Sequence, residues 1–222
     1  TSTLKRAEVY PDSVDADDRI TFKYNRQKEV TELQDQNATI HANDYDKLGR
    51  KTQDRVTALG TGVDGAVRRI ATTFEVRGMM EKITSLDNAT VGSGAVVNEV
   101  QHGYNNFALL TTEYQAHAGA VNTGTTPKVQ YAFTDGSANH TRPTTMTYPN
   151  ARVLNLNYGA ANGIGDAGSR IAALIDKDGT SHLGDYSYLG RNAFVELDLP
   201  QPQLKCTLIG TAGGNDPDTG DI

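Results

Sequence analysis

A six-residue pattern that recurs along the chain constrains the fold more than any other feature of the sequence. Its fullest copy is Tyr45–Arg50, in which an aromatic residue is followed by Asp, two variable residues, Gly and Arg. Asp46 can accept hydrogen bonds from the backbone N–H groups ahead of it, and Gly49 can adopt a positive φ without steric cost. The pattern therefore predicts a β-hairpin with a four-residue connection, Asp46 to Gly49.

Altered copies of the pattern lie on both sides of Tyr45–Arg50. These copies begin at Tyr24, Phe74 and Tyr104. Together with Tyr45, the four aromatic residues follow one another at intervals of 21, 29 and 30 positions. A repeat of this length is typical of arrays in which each unit packs against its neighbours. The residues assigned to the repeated motif are Tyr24, Tyr45, Asp46, Gly49, Arg50, Phe74, Gly78, Tyr104, Tyr148, Arg152, Tyr158, Tyr188, Gly190 and Arg191.

The motif predicts two features of the folded chain. Gly49 and Gly78 each close a turn after an aromatic–acid pair, so both are expected to have positive φ. The aromatic residues recur just ahead of turn signals and are expected to be mostly buried, stacked along a common row; this set is Tyr24, Tyr45, Phe74, Tyr104 and Tyr158.

The rest of the sequence is also typical of strands and turns. Apolar and polar residues alternate in Arg19–Tyr24 and Val153–Tyr158, which predicts half-buried strands. Segments rich in Gly and Asp separate such runs, and the glycine-rich run Gly159–Gly168 is interpreted as a turn. Ala116–Lys128 is weakly patterned and fits either a long ordered hairpin tip or a surface insertion. The fold class predicted is all-β, an array of antiparallel β-hairpins that forms a curved or spiralling sheet.

Several classes of function receive no support from the sequence. The formal net charge is −6 and the basic residues are scattered, which argues against a nucleic-acid partner. No apolar run approaches the ~18 residues of a membrane-spanning helix. The five histidines have no pair at metal-ligand spacing, and Cys206 is the single cysteine. We therefore predict no catalytic residues, no enzyme activity, no cofactor and no metal.

One acidic turn is a weak exception to the last statement. Asp216, Asp218 and Asp221 have the spacing of acids in a calcium-binding loop, but the distal Glu that completes such a loop is missing.

The motif resembles the repeat of the Rhs, or YD-repeat, family, which takes its name from a Tyr-Asp pair like Tyr45 and Asp46. The resemblance extends from about Arg19 to Leu197; Ala151 stands where Gly is usual, and Phe74 and Glu75 replace Tyr and Asp. It implies a leading segment at 1–18, YD-type hairpin repeats at 19–197, and a Pro-interrupted strand and turn-rich tail at 198–222 that leads to a further repeat.

The resemblance also implies a function. Rhs-type proteins are large secreted or cell-surface proteins whose repeats form a β-shell around a cargo polypeptide or support recognition at the cell surface. The expected role is a non-catalytic structural segment, whose partners are the flanking repeats, an enclosed cargo polypeptide, or a surface glycan or protein. The alternative is a carbohydrate- or protein-binding β-module that uses exposed Tyr and Asn side chains.

The ends of the chain agree with a segment of a longer array. The first residue is Thr1, and the last residues, Gly220–Ile222, do not form a polar capping repeat. Strands near both ends are therefore expected to present unpaired backbone groups, and the isolated segment is expected to self-associate or to be only marginally folded.

Overall fold

The computed structural model describes residues 3–9, 19–134, 141–189, 193–201 and 203–207. These residues form sixteen strands and one short helix, and the strand pairs whose registers are defined are all antiparallel. The predicted all-β class, an array of antiparallel hairpins, is confirmed.

The strands are short and follow one another closely along the chain. The first eight are β1 (Ala7–Val9), β2 (Arg19–Tyr24), β3 (Val30–Gln34), β4 (Ile40–Tyr45), β5 (Lys51–Ala58), β6 (Arg69–Phe74), β7 (Met80–Leu86) and β8 (Val96–Tyr104). The next eight are β9 (Leu110–Ala116), β10 (Lys128–Phe133), β11 (Pro143–Thr147), β12 (Val153–Asn157), β13 (Ala173–Ile175), β14 (His182–Leu189), β15 (Ala193–Leu199) and β16 (Leu204–Thr207). The helix α1 (Ile164–Ala167) lies between β12 and β13.

The chain divides into two compact units. Unit 1 consists of Thr1–Gly103 and Glu113–Pro127, and unit 2 consists of Tyr104–Thr112 and Lys128–Ile222. In unit 1 the strands β1 to β8 lie side by side in chain order, and in unit 2 the same is true of β10 to β16. Within each unit these strands therefore pair with their neighbours in sequence, as a hairpin array requires.

The two faces of unit 1 differ in chemistry. Residues directly opposite one another on paired strands share a face. One face is charged, and a row across five strands contains Lys23, Glu32, Ala42, Arg55 and Arg69. The other face is more apolar, and the neighbouring row contains Phe22, Leu33, His41 and Val56.

Few side chains are deeply buried. Among the described residues the buried apolar side chains are Ala116, Tyr158, Ala173 and Ile175, and no large side chain is less than 2% exposed. Most strand residues are half-buried, because within each unit each described strand packs mainly against the strands beside it in the sheet. The sheet is therefore held largely by its backbone ladders and by contacts between adjacent hairpins.

The interpretation of Gly159–Gly168 as a turn is wrong in part, since the run includes α1. The carboxylate of Asp166 accepts a hydrogen bond from the backbone N–H of Asn162 at 2.8 Å, and its other oxygen pairs with the guanidinium of Arg142 at 2.7 Å. Glycine disfavours helix in general, but here a partner 24 residues upstream holds the helical turn in place.

Candidate functional site

The turn of the fullest motif copy is a three-residue loop. The Asp46 N–H donates to the Arg50 carbonyl oxygen at 3.0 Å, and the Gly49 N–H donates to the Asp46 carbonyl oxygen at 3.1 Å. Gly49 is the third loop residue and has a φ of 78°. This is the type I turn with a glycine bulge that closes three-residue hairpins. The predicted four-residue connection is one residue too long, because Asp46 still pairs across the hairpin with Arg50.

The side chain of Asp46 fixes this loop. One carboxylate oxygen accepts hydrogen bonds from the N–H groups of Leu48 at 2.8 Å and Arg50 at 3.0 Å. The other accepts from Nε of Arg50 at 2.7 Å. These bonds, led by the one from the Arg50 backbone, stabilise the carboxylate and lower the pKa of Asp46.

The same pair of backbone hydrogen bonds closes five other described turns. They are Asn25–Glu29, Asp35–Thr39, Glu75–Met79, Asn105–Leu109 and Tyr148–Arg152. In each of them the third loop residue has positive φ; these residues are Lys28, Ala38, Gly78, Ala108 and Ala151. The predicted positive φ of Gly49 and Gly78 is confirmed.

The turn at Asp35–Thr39 was missed from the sequence. Its aromatic position is occupied by Gln34 and its glycine position by Ala38. The signal that remains is Asp35, whose carboxylate accepts from the N–H groups of Asn37 at 2.9 Å and Thr39 at 2.8 Å, as Asp46 does in its own turn.

The motif residues Tyr148 and Arg152 lie in a turn of the same kind, which is shorter at its start. The Tyr148 N–H donates to the Arg152 carbonyl oxygen at 2.8 Å, so Tyr148 occupies the position that Asp46 has in its turn. Asn150 takes over the capping role and accepts from the Arg152 N–H at 3.0 Å. The guanidinium of Arg152 pairs with Asp176, which belongs to the turn between β13 and β14.

The motif tyrosines connect one hairpin to an earlier one. The hydroxyl of Tyr45 donates to the Val30 carbonyl oxygen, at the start of β3, at 2.8 Å. Three other tyrosines donate in the same way to carbonyl oxygens 15 to 19 residues upstream at 2.7 Å; the pairs are Tyr24–Lys5, Tyr158–Pro143 and Tyr188–Ile171. Burial raises the pKa of Tyr45, Tyr158 and Tyr188.

The expected burial of the motif aromatics is only partly correct. Tyr158 is 8% exposed, whereas Tyr24, Tyr45, Phe74 and Tyr104 are half-buried. A ring that packs only against neighbouring hairpins of the same sheet keeps part of its surface in solvent. Hydroxyl–carbonyl and arginine–ring contacts link these hairpins, and the expectation of a stacked row did not include them.

A register shift accompanies the aromatic residue in several motif hairpins. Tyr45 pairs with Lys51 while Asp44 pairs with Gln53, so Thr52 is an extra residue on the second strand. Equivalent shifts occur beside Tyr24, Phe74 and Tyr188. Such bulges increase local strand twist, and they recur here at the same place in the repeat.

Arginine side chains form the second kind of link. The guanidinium of Arg50 lies 4.1 Å from the ring centre of Phe74 in the next motif hairpin, and one of its nitrogens donates to the Gly78 carbonyl oxygen at 3.4 Å. In unit 2 the corresponding distances are 4.3 Å for Arg142 over Tyr158 and 5.0 Å for Arg170 over Tyr188. Arg50 therefore joins its own turn, through Asp46, to the turn that follows.

Unit 2 also contains an open aromatic cleft of about 450 Å³. The ring centre of Phe194 lies 4.9 Å from that of Tyr188 and 5.7 Å from that of Tyr186. Phe194 is 49% exposed, so one side of this cluster faces solvent.

Some predicted residues cannot be compared with the structure. Gly190, Arg191, Asp216, Asp218 and Asp221 lie outside the described residues, as do parts of the proposed leading segment and tail. Within the described ranges no group of three or more His, Cys, Asp or Glu side chains is arranged to hold a metal ion. No helix formed by these residues is long and apolar enough to cross a membrane.

Comparison with known proteins gives matches in structure but not in sequence. No family model matches the chain, and no characterised protein matches its sequence. A mutant Tc holotoxin pore of Photorhabdus luminescens is 8% identical over 84% of this chain and 11% of that chain, with a TM-score of 0.36. A TcdB2-TccC3-Cdc42 structure is 12% identical over 86% of this chain and 10% of that chain, with a TM-score of 0.34. This chain thus spans about a tenth of the length of the structures it matches.

Proposed function

We propose that the chain is a non-catalytic structural segment of a large secreted or cell-surface protein of the Rhs or YD-repeat type. In this role it forms part of a β-shell or scaffold that encloses a cargo polypeptide or supports recognition at a surface. Its nearest partners are the flanking repeats of the same chain.

One observation carries the proposal: the polar groups of the motif bind other parts of the array. Asp46 binds the backbone of its own turn, Tyr45 binds the backbone of an earlier hairpin, and Arg50 contacts the next one. Groups used in this way hold neighbouring repeats in a fixed arrangement, which is the property a scaffold needs.

The test uses the full-length protein that carries this segment and a cargo polypeptide. Arg50→Ala and Tyr45→Phe together remove two links between hairpins, so the cargo is expected to become more sensitive to added protease while the protein remains folded. Arg26→Ala is a matched control, since Arg26 is an exposed residue of the same kind of turn. Unchanged protection of the cargo in the double variant, with loosened hairpins demonstrated by hydrogen exchange, would exclude an enclosing role.

The alternative function, a carbohydrate- or protein-binding module, is favoured by the aromatic cleft at Phe194. Exposed aromatic rings provide flat apolar surfaces that suit the faces of sugar rings or apolar side chains. A glycan array probed with the full chain tests this function directly. Binding that is lost in Phe194→Ala and kept in Phe107→Ala, another exposed aromatic residue of unit 2, would favour the binding module.

A further inference from the structure

Three buried polar side chains in unit 1 are spaced thirty residues apart. Thr39, Arg69 and Glu99 are 4%, 4% and 5% exposed, and they are the buried polar residues among those that the structure describes. Thr39 directly precedes β4, Arg69 opens β6, and Glu99 lies in β8. Thr39 is the last residue of the turn Asp35–Thr39, whereas Arg69 and Glu99 are strand residues.

Arg69 holds the connection between β7 and β8. Its guanidinium donates to the carbonyl oxygen of Thr90 and, at 2.8 Å, to that of Ser93. Both acceptors are backbone atoms of the loop 87–95. The Nε atom of Arg69 is buried and has no hydrogen-bond partner. The hydrogen bonds that this guanidinium makes therefore go to the carbonyl oxygens of the loop.

Glu99 holds the connection between β9 and β10. One carboxylate oxygen accepts from the backbone N–H of Val121 at 3.0 Å and from the Lys82 ammonium at 3.1 Å. The other accepts from the hydroxyl of Thr84 at 2.7 Å. Beside this site the Gly119 N–H donates to the Val97 carbonyl oxygen at 2.9 Å, so the loop 117–127 returns onto β8.

Thr39 holds the connection between β5 and β6. Its hydroxyl oxygen accepts from the Gly60 N–H at 3.2 Å, and the side-chain amide of Asn37 donates to the Thr61 carbonyl oxygen at 3.1 Å. Gly60 approaches so closely that a Cβ there would lie 2.1 Å from the carbonyl oxygen of Asn37. The loop 59–68 can therefore pack against the turn Asp35–Thr39 only if position 60 is glycine.

We propose that positions 39, 69 and 99 form a thirty-residue series of loop-docking sites, each of which binds the backbone of a connection that follows it by 21 to 24 residues. The residue at each site determines which backbone group it can hold. Arginine, which only donates, takes loop carbonyl oxygens; carboxylate and hydroxyl oxygens take loop N–H groups. A loop that presents the wrong group would leave the buried polar side chain at that site without its loop hydrogen bond, so the sites specify how each loop is seated.

These sites order the loops at one end of the strands of unit 1. In an antiparallel sheet the connections β5–β6, β7–β8 and β9–β10 lie at the opposite ends of the strands from the turns Asn25–Glu29, Asp46–Arg50 and Glu75–Met79. The docked loops still leave apolar side chains in solvent, including Val63 at 40% exposure and Val91 at 56%. The series therefore presents these loops as a fixed surface rather than as free insertions.

The experiment is hydrogen–deuterium exchange, followed by mass spectrometry, on the whole chain and two variants. Arg69→Met is expected to speed exchange in 87–95 by about ten- to hundredfold, the effect of losing a charged hydrogen-bond anchor, without a change in 117–127. Glu99→Met is expected to speed exchange in 117–127 without a change in 87–95. Arg68→Met is the matched control, because the guanidinium of Arg68 donates to the Val56 carbonyl oxygen on β5 and to neither loop.

Exchange in the motif turn 46–50 shows whether each variant is folded. If Arg69→Met loses this protection, Arg69→Lys is used in its place, because lysine keeps the charge but makes fewer hydrogen bonds. If Glu99→Met loses it, Glu99→Gln is used, because glutamine keeps the size and polarity of the side chain but removes the charge. Acceleration confined to the predicted loop supports the proposal. Equal acceleration in both loops, or none in either, overturns it, whatever the outcome for the scaffold function.

Discussion

At the scale of single residues, the most specific feature is a backbone conformation. The third loop residue of the motif turns has positive φ whether it is glycine, as at Gly49, or alanine, as at Ala151. For an L-residue this left-handed conformation costs about 1–2 kcal/mol. The turn is thus dictated by its hydrogen bonds, and the side chain at this position is tolerated at a cost.

Replacement of Ala151 by glycine is expected to stabilise the protein. Ala151 has a φ of 62°, and glycine removes the steric penalty while costing about 0.5–1 kcal/mol in unfolded-state entropy, so the net gain is up to about 1.5 kcal/mol. Urea denaturation measures the change. Gly49→Ala, the reverse substitution in a turn with the same hydrogen bonds, is expected to destabilise; a loss of stability in both variants would contradict the argument.

Removal of the Tyr45 hydroxyl is expected to cost little. In Tyr45→Phe the Val30 carbonyl oxygen loses one hydrogen bond but still accepts from the side-chain amide of Asn43 at 2.9 Å. Because no buried acceptor is left unsatisfied, the cost should be about 0.5–1 kcal/mol. Thermal unfolding followed by circular dichroism checks it, and the double variant Tyr45→Phe with Asn43→Ala should lose more than the sum of the two single variants.

At the scale of elements, the repeat is defined by links between hairpins rather than by any single hairpin. Tyrosine hydroxyls bind an earlier hairpin, arginine guanidinium groups cover the ring of a later one, and buried polar residues hold the loops at the other ends of the strands. A two-stranded hairpin is marginal by itself, so these links supply the cooperativity of the array.

Arg50 and Phe74 should show a measurable coupling energy. The guanidinium lies 4.1 Å from the ring centre and is partly desolvated, which corresponds to a cation–π interaction of about 0.5–1 kcal/mol. A double-mutant cycle with Arg50→Ala and Phe74→Leu measures it from urea unfolding. The control pair is Arg50→Ala with Tyr24→Leu, whose effects should add to within about 0.5 kcal/mol. Additivity in the first pair would show that the contact does not couple the hairpins.

At the scale of the whole molecule, charged side chains contribute to stability because the apolar core is small. Several carboxyl groups have pKa values below their ordinary range as a result of hydrogen bonds; they are Asp46, Asp54, Glu99, Asp166, Asp176 and Asp178. At Glu99 burial alone would raise the pKa, but the bonds from Thr84, Val121 and Lys82 outweigh it. The unfolded chain therefore binds protons at higher pH than the folded chain.

Stability is expected to decrease as the pH falls from about 4 towards about 2. A carboxyl group with a lowered folded pKa stabilises the fold above its unfolded pKa, and this contribution is lost on acidification through the folded pKa. Hydrogen bonds from Ser181 and Thr180 lower the pKa of Asp178 from 3.8 to about 2, so this group defines the acid end of the window. Melting temperatures recorded between pH ~7 and ~2 give the profile. Asp178→Asn should make the acid limb shallower, and a profile that is flat below pH ~5 would refute the expectation.

The sequence alone determined the fold class and the local chemistry of the motif turn. Alternation of apolar and polar residues specifies strands, and the Asp–Gly pair of Tyr45–Arg50 specifies a turn with positive φ at Gly49, because both depend on residues close together in the chain. Family membership, cargo and localisation stay predictions from the motif.

Only the tertiary structure decided which residues of different repeats meet. The position of Tyr148 in its turn and the unrecognised turn at Asp35–Thr39 depend on which backbone groups pair across the hairpin. The helix at Ile164–Ala167 depends on Arg142, a partner 24 residues upstream of Asp166. The same holds for Arg50 over Phe74 and for the docking site at Glu99, where the partners are 24 and 22 residues away. Sequence periodicity shows that repeats exist, but backbone groups have no residue-type signature, so a side chain that binds a distant loop is visible only when the strands are in register.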